Sequence, residues 1–170
     1  MSCPWQYHYA MDLKIRDAVL EDAPTIADNN AAMALETEHK RLDPATVRLG
    51  VQACFSDPAK GSYFVAEDTA GVVIGQLMIT HEWSDWRNGD FWWIQSVYVA
   101  PSARRAGVFR ALYAHSEILA RATPGVCGIR LYVEADNVRA QRTYEHCGMH
   151  NAGYRVMEVD YSGATHRAKD

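Results

Sequence analysis

No stretch of this chain approaches the roughly 18 consecutive apolar residues that a membrane-spanning helix needs. It also lacks a CxxC pair and any cysteine–histidine spacing of the metal-binding kind. The four cysteines, Cys3, Cys54, Cys127 and Cys147, are scattered, which reads as buried thiols rather than a disulfide framework and leaves no metal site to assign. Positive charge is short as well. Seventeen Lys and Arg stand against 21 Asp and Glu, a formal net charge of −4, which is the wrong sign for a nucleic-acid surface. Residues 1–10 show no basic segment followed by an apolar run, so no secretory leader is expected there. With no leader, no span and no basic face, the expectation is a cytoplasmic protein with neither membrane nor nucleic acid as partner. Repeats, low-complexity tracts and long linkers are missing too, which points to one domain over residues 1–170, with 1–10 as an N-terminal extension.

What is present is a globular balance, 48% apolar and 22% charged, in 170 residues. Asp12 to Asp17 alternates apolar and polar residues and predicts a short strand. Leu20 to Met33 predicts a helix with Pro24 in its first turn, Leu35 to Asp43 a polar connector, and Pro44 the start of a second helix to about Phe55. Strands follow at Tyr63–Glu67 and Val72–His81, joined at Thr69-Ala70-Gly71. Asn88-Gly89 is the strongest hairpin signal and leads into Phe91 to Val99. A helix from about Gly107 to Ala122, a strand Ile129–Glu134, a helix Asn137–Cys147 closed by Gly148 and a strand Tyr154–Val159 complete the chain. This order predicts an α/β fold: a mixed, mostly antiparallel central sheet, with one parallel crossover, flanked by helices on both faces.

The sharpest chemical signal is Val97-Tyr98-Val99-Ala100-Pro101-Ser102-Ala103-Arg104-Arg105-Ala106-Gly107-Val108-Phe109-Arg110. A strand ends, a short loop with two arginines follows, and a glycine opens a helix. The first amides of a helix have no intrahelical acceptor, and the helix dipole adds to their pull on an anion. Gly107 allows close backbone approach, and Arg104, Arg105 and Arg110 bring cationic donors. An Arg-rich surface turn has the same spacing, so residue type alone leaves both readings open.

The segment resembles the acetyl-CoA-binding motif of the GNAT N-acetyltransferases, Gln/Arg-x-x-Gly-x-Gly/Ala. It reads here Arg104-x-x-Gly107-x-Phe109, with phenylalanine in place of the last small residue. A second block, Leu131-Tyr132-Val133-Glu134-Ala135-Asp136-Asn137 through Tyr144 to Gly148-Met149, is similar to the family's second cofactor motif. The resemblance spans about residues 12–160. It implies acetyl-CoA as cofactor, with Val97, Tyr98 and Val99 along its pantetheine arm. Arg104, Arg105, Ala106, Gly107, Val108, Phe109 and Arg110 would lie around the pyrophosphate, and Asn137 on the arm. Asn137 suits a helix N-cap equally well. It further implies Tyr144 as the acid that protonates the departing thiolate, and an amide near Val97 as donor to the oxyanion.

The resemblance implies transfer of an acetyl group to a primary amine by direct attack in a ternary complex. The acceptor is expected to be a small cationic amine. The alternatives are a protein or peptide N-acetyltransferase and a non-catalytic acyl-CoA-binding sensor. The family often places a glutamate on the central strand, where this chain has Gln95, which accepts no proton. Glu82, at the end of the preceding strand, is the first substitute as base. Glu36 and Glu38 in the connector are candidates to bind a cationic acceptor, and Trp83, with Trp86, Trp92 and Trp93, reads either as an acceptor wall or as a packed hairpin or homodimer surface.

Overall fold

The computed structural model describes residues 12–161. The expected extension at 1–10, with Cys3, lies outside them. The chain divides into two compact units, Met1–Glu134 and Ala135–Asp170.

In the first unit the elements are β1 (Lys14–Asp17), α1 (Ala23–Glu38), α2 (Pro44–Ser56), β2 (Ser62–Glu67), β3 (Val73–Ser84), β4 (Gly89–Val99), α3 (Val108–Ala122) and β5 (Val126–Leu131). The five strands lie in sequence order, antiparallel from β1 to β4, and β5 pairs with β4 in parallel. The expected mixed, mostly antiparallel sheet is present.

Strand alternation sorts the core onto two faces. Tyr63 and Val65 of β2 stand opposite Met78 and Gln76 of β3, and α1 and α2 cover this face with Ile26, Ala27 and Val51. Phe64 and Ala66 stand opposite Leu77 and Gly75 on the other face, which α3 covers. There His115 packs edge-on to Phe64 with ring centroids 5.1 Å apart. Gly75 is there because a Cβ would sit 2.6 Å from Val108 Cγ1. Ile26, Val65, Leu77 and Leu112 are fully buried, each contributing about 1.5–3 kcal/mol by leaving water.

Local chemistry sets most boundaries. Asp43 caps α2, its carboxylate accepting from the Thr46 amide at 2.8 Å, and Pro44 occupies the first turn. Asp68 closes the β2–β3 turn by accepting from the amides of Ala70 and Val72, both at 2.9 Å. Two expectations need adjusting. α1 runs to Glu38, well past Met33, because Ala34 to Glu38 are good helix formers whose polar side chains face solvent; His39, at φ +56°, ends it. Residues 85–88 form the β3–β4 turn, so Gly89 already pairs with Ser84.

In the second unit α4 (Val138–His146) forms as expected, with Asn137 as its cap. The strand expected at Tyr154–Val159 does not form. Tyr154 and Met157 are 78% and 90% exposed, and no neighbour among the described residues gives this alternating segment a ladder. Among the described residues no helix is long and apolar enough to cross a membrane, and no cluster of His, Cys, Asp and Glu is arranged for a metal ion.

Candidate active site

The site begins with an irregularity in β4. Its register against β3 runs Gln76↔Tyr98 and then Met78↔Gln95, so Ser96 and Val97 together face Leu77. This is a β-bulge, and Ser96 sits at φ +49°, left-handed backbone that costs a non-glycine residue about 1–2 kcal/mol. A buried polar network lies against it. Gln76, with no exposed surface, donates from Nε2 to Asn30 Oδ1 at 2.8 Å and, at 3.5 Å, to the Ser96 carbonyl. Gln76 Oε1 accepts from Asn29 Nδ2 at 2.9 Å, and Asn30 Nδ2 donates to the Tyr63 hydroxyl at 3.2 Å. Burial raises the Tyr63 phenol above its ordinary pKa, which keeps it neutral at working pH.

Past the bulge the sheet opens. The parallel ladder between β4 and β5 stops at Ile94↔Leu131. From Gln95 to Val99 the edge of β4 turned away from β3 has no strand neighbour among the described residues. Amides and carbonyls along such an edge suit an extended chain laid beside them.

The loop after β4 continues this edge into a helix start. Ala103 donates to the Ala100 carbonyl at 2.8 Å in a short turn over Pro101–Ala103. Arg105 and Gly107 then take φ +68° and +87°, so α3 begins from a left-handed glycine. No acceptor among the described residues takes the amides of Arg105, Ala106, Gly107 or Val108. Val108 and Leu112, 1% and 0% exposed, pin this helix start to the sheet. A run of open amides at the positive end of a 15-residue helix favours an anion.

The charged candidates are distributed differently from the sequence expectation. The Arg104 guanidinium donates to Glu36 Oε2 at 2.6 Å and to the Val99 carbonyl at 3.0 Å, and lies 5.7 Å from the centre of the Tyr98 ring. It therefore ties the loop to α1 and β4. Burial and the nearby Glu36 charge raise the Tyr98 phenol. Glu36 is spent on Arg104 and Glu38 pairs with Lys40 at 2.6 Å, so both acceptor candidates already hold a cation of this chain. Arg105 and Arg110 are exposed at the loop and the helix start.

Glu82, the base expected from the sequence, is placed by the ladder between β3 and β4. Glu82 stands opposite Phe91, and from Phe91 to Val97 is about 20 Å along β4. Its carboxylate accepts from Arg130 Nη1 at 2.8 Å and Trp93 Nε1 at 2.6 Å, and Arg130 also lies over Phe91, 3.6 Å from the ring centre. Gln95 donates to Thr80 Oγ1 at 2.6 Å. The tryptophans do not converge. Trp92 and Trp93 point to opposite faces of β4, Trp93 stacks on Tyr132 at 4.3 Å, and Trp83 and Trp86 are 59% and 85% exposed.

In the second unit, Asn137 Oδ1 accepts from the Ala140 amide at 3.0 Å, which is its capping role. Tyr144 lies in the last turn of α4 and is half-buried. Burial first, and then Cys147, raise its phenol pKa, so it holds its proton at neutral pH.

Sequence reasoning missed the Asn29–Asn30–Gln76–Tyr63 network and the bulge at Ser96. The only trace was two consecutive asparagines in a helix and a glutamine in an apolar strand, where polar residues need partners.

Comparison with known proteins agrees with this architecture. Residues 21–149 match the profile of the Acetyltransferase (GNAT) family. Among solved structures, a possible acetyltransferase from Clostridium difficile 630 is 42% identical with a TM-score of 0.81, covering 87% of this chain and 97% of that one. A predicted acetyltransferase from Clostridium acetobutylicum, solved with acetyl-CoA, is 13% identical with a TM-score of 0.70, covering 88% and 96% of the two chains, a likeness of fold. No curated protein sequence matches. With three quarters of its length inside the family profile, the chain belongs to the acetyltransferase (GNAT) family and is an acyltransferase.

Proposed function

We propose that this acyltransferase moves the acetyl group of acetyl-CoA to the nitrogen of a primary amine, by direct attack with both substrates bound. One observation carries the reading: the unpaired edge of β4 from Gln95 to Val99 runs directly into the open amides of residues 105–108 at the start of α3. A pantetheine arm is an extended chain of amides, and a pyrophosphate is an anion. The two features fit coenzyme A in that order.

Bound acetyl-CoA supplies an activated thioester. The amides of Gly107 and Val108 receive the pyrophosphate, with Arg105 and Arg110 adding charge at the rim. Arg104 acts as the strut that holds the loop. The Val97 amide, presented by the bulge, donates to the thioester oxygen as negative charge gathers there. The C–N bond forms as the C–S bond breaks, and Tyr144 gives its phenolic proton to the departing sulfur; this role rests on its place in the second motif. The amine proton passes to water, since Gln95 and Glu82 are both engaged elsewhere. Both units form one acetyltransferase domain on this reading, as the profile match running across them supports.

The pairing of Glu36, Glu38 and Glu82 with cations of this chain favours a second reading, an acyl-CoA-binding sensor. Thiol release from acetyl-CoA with a panel of amines, with the acetylated product detected by mass spectrometry, separates the two. Binding of acetyl-CoA with no product from any amine supports the sensor and ends the transferase reading.

A further inference from the structure

Beside the bulge, between α1, α2 and the sheet, lies a cavity of about 320 Å³. This is the lower range of small-molecule sites. Its wall is mostly apolar: Met33, Val47, Val51 and Met78 contribute, Asn30, Ser96 and Tyr63 supply the polar groups, and no charged side chain among the described residues lines it. Burial raises the Cys54 thiol in the same wall, so it too is neutral. Gly50 also lines the cavity. It lies in the middle of α2, where glycine costs stability, yet a Cβ there would meet nothing within 4 Å. Neither crowding nor backbone geometry accounts for this glycine.

We propose that this cavity seats the body of the acceptor, and that the acceptor is a primary amine with an apolar body, arylalkyl or branched alkyl, rather than a polyamine. Gly50 is the residue that keeps the seat open. The inference rests on the transferase reading above and names its substrate class. Ser96 joins the cavity to the Val97 amide by one peptide, so an amine seated here presents its nitrogen beside the bulge. A second ammonium along the body would meet no charged partner among the lining residues and would leave water to face Met33, Val47, Val51 and Met78, which is costly. The two glutamates expected to meet a cationic acceptor are held by Arg104 and Lys40.

The test compares phenethylamine, methylamine and spermidine as acceptors for wild-type protein, Gly50→Ala and Gly50→Phe, alongside calorimetric binding of phenethylamine in the presence of coenzyme A. The expected wild-type order by kcat/KM is phenethylamine above methylamine and spermidine. Gly50→Phe should lower the phenethylamine-to-methylamine ratio by roughly tenfold or more, the usual worth of a filled apolar subsite. Gly50→Ala should remain folded and change the ratio little, which separates blocking from unfolding, and acetyl-CoA affinity should stay the same in both variants. Spermidine preferred by wild type, or a ratio unmoved by Gly50→Phe in a folded protein, overturns the proposal while leaving acetyl transfer intact. If no amine is acetylated, phenethylamine binding that Gly50→Phe abolishes still supports the apolar seat, and the transferase reading alone fails. No binding to wild type overturns the seat.

Discussion

Replacing Asn30 with alanine should loosen the bulge from beneath, and the size of the effect follows from its partners. Asn30 Oδ1 accepts from Gln76 at 2.8 Å and Nδ2 donates to Tyr63 at 3.2 Å. Asn30→Ala leaves the Nε2 donor of the fully buried Gln76 with only the long 3.5 Å bond to the Ser96 carbonyl, while Oε1 keeps its bond from Asn29. A buried amide deprived of its partner costs about 1–3 kcal/mol, and the lost Tyr63 bond adds about 0.5–1.5 kcal/mol. The sum, about 1.5–4.5 kcal/mol, is a large part of the 5–15 kcal/mol that holds a typical domain together. At roughly 2–4 °C per kcal/mol for a chain of this size, the melting temperature should fall by about 3–18 °C. The assay is a double-mutant cycle in denaturant with Asn30→Ala, Gln76→Leu and the pair. Removing both partners relieves the Gln76 Nε2 donor that Asn30→Ala alone leaves orphaned, so the pair should be more stable than the two single costs imply by about 1 kcal/mol or more. Additive costs would mean that Asn30 and Gln76 do not act together, and would remove the support assigned to the bulge.

Gly107→Asp should abolish acetyl-CoA binding in calorimetry, since it sets a negative charge at the open amides and strains a φ of +87°; unchanged affinity would unseat the pyrophosphate assignment. Tyr144→Phe should lower kcat by on the order of 10²-fold with cofactor affinity retained, as loss of a general acid does; wild-type turnover would make the tyrosine a packing residue. Glu82→Gln should leave the pH–rate profile unchanged, because the carboxylate serves Arg130 and Trp93, and a new alkaline requirement in the variant would restore Glu82 as base. In acid, Arg16 bonds hold the Asp22 carboxyl, and that of Glu67, below their ordinary values. Depressed carboxyls stabilise the fold above about pH 4 and lose that contribution as pH falls through their lowered folded values; Arg16→Met should flatten the acid limb of a pH–denaturation series, and an unchanged limb would refute the linkage.

What the sequence revealed, and what it concealed, divides along the range of the interactions. The loop from Val97 to Arg110 was legible because its signals are local: a β-branched strand, Pro101, two arginines, and a glycine before an amphipathic helix. The five strands, the start of α2 at Pro44 and the capping by Asn137 were legible for the same reason. Roles that depend on distant partners were not. That the Arg104 guanidinium meets Glu36, 68 residues away, is one such relation. The placing of Glu82 beside Arg130 and opposite Phe91 is another. The bulge depends on a one-residue offset between β3 and β4, which no local pattern announces. Tyr154 to Val159 carries a strand's alternation but no neighbour to pair with among the described residues.

The most direct measurement is a crystal structure of the protein grown with coenzyme A. The account predicts pyrophosphate oxygens within hydrogen-bond distance of the Gly107 and Val108 amides, and the pantetheine arm along the β4 edge from Gln95 to Val99. Coenzyme A bound elsewhere, or with its pyrophosphate held by side chains away from the start of α3, would contradict it.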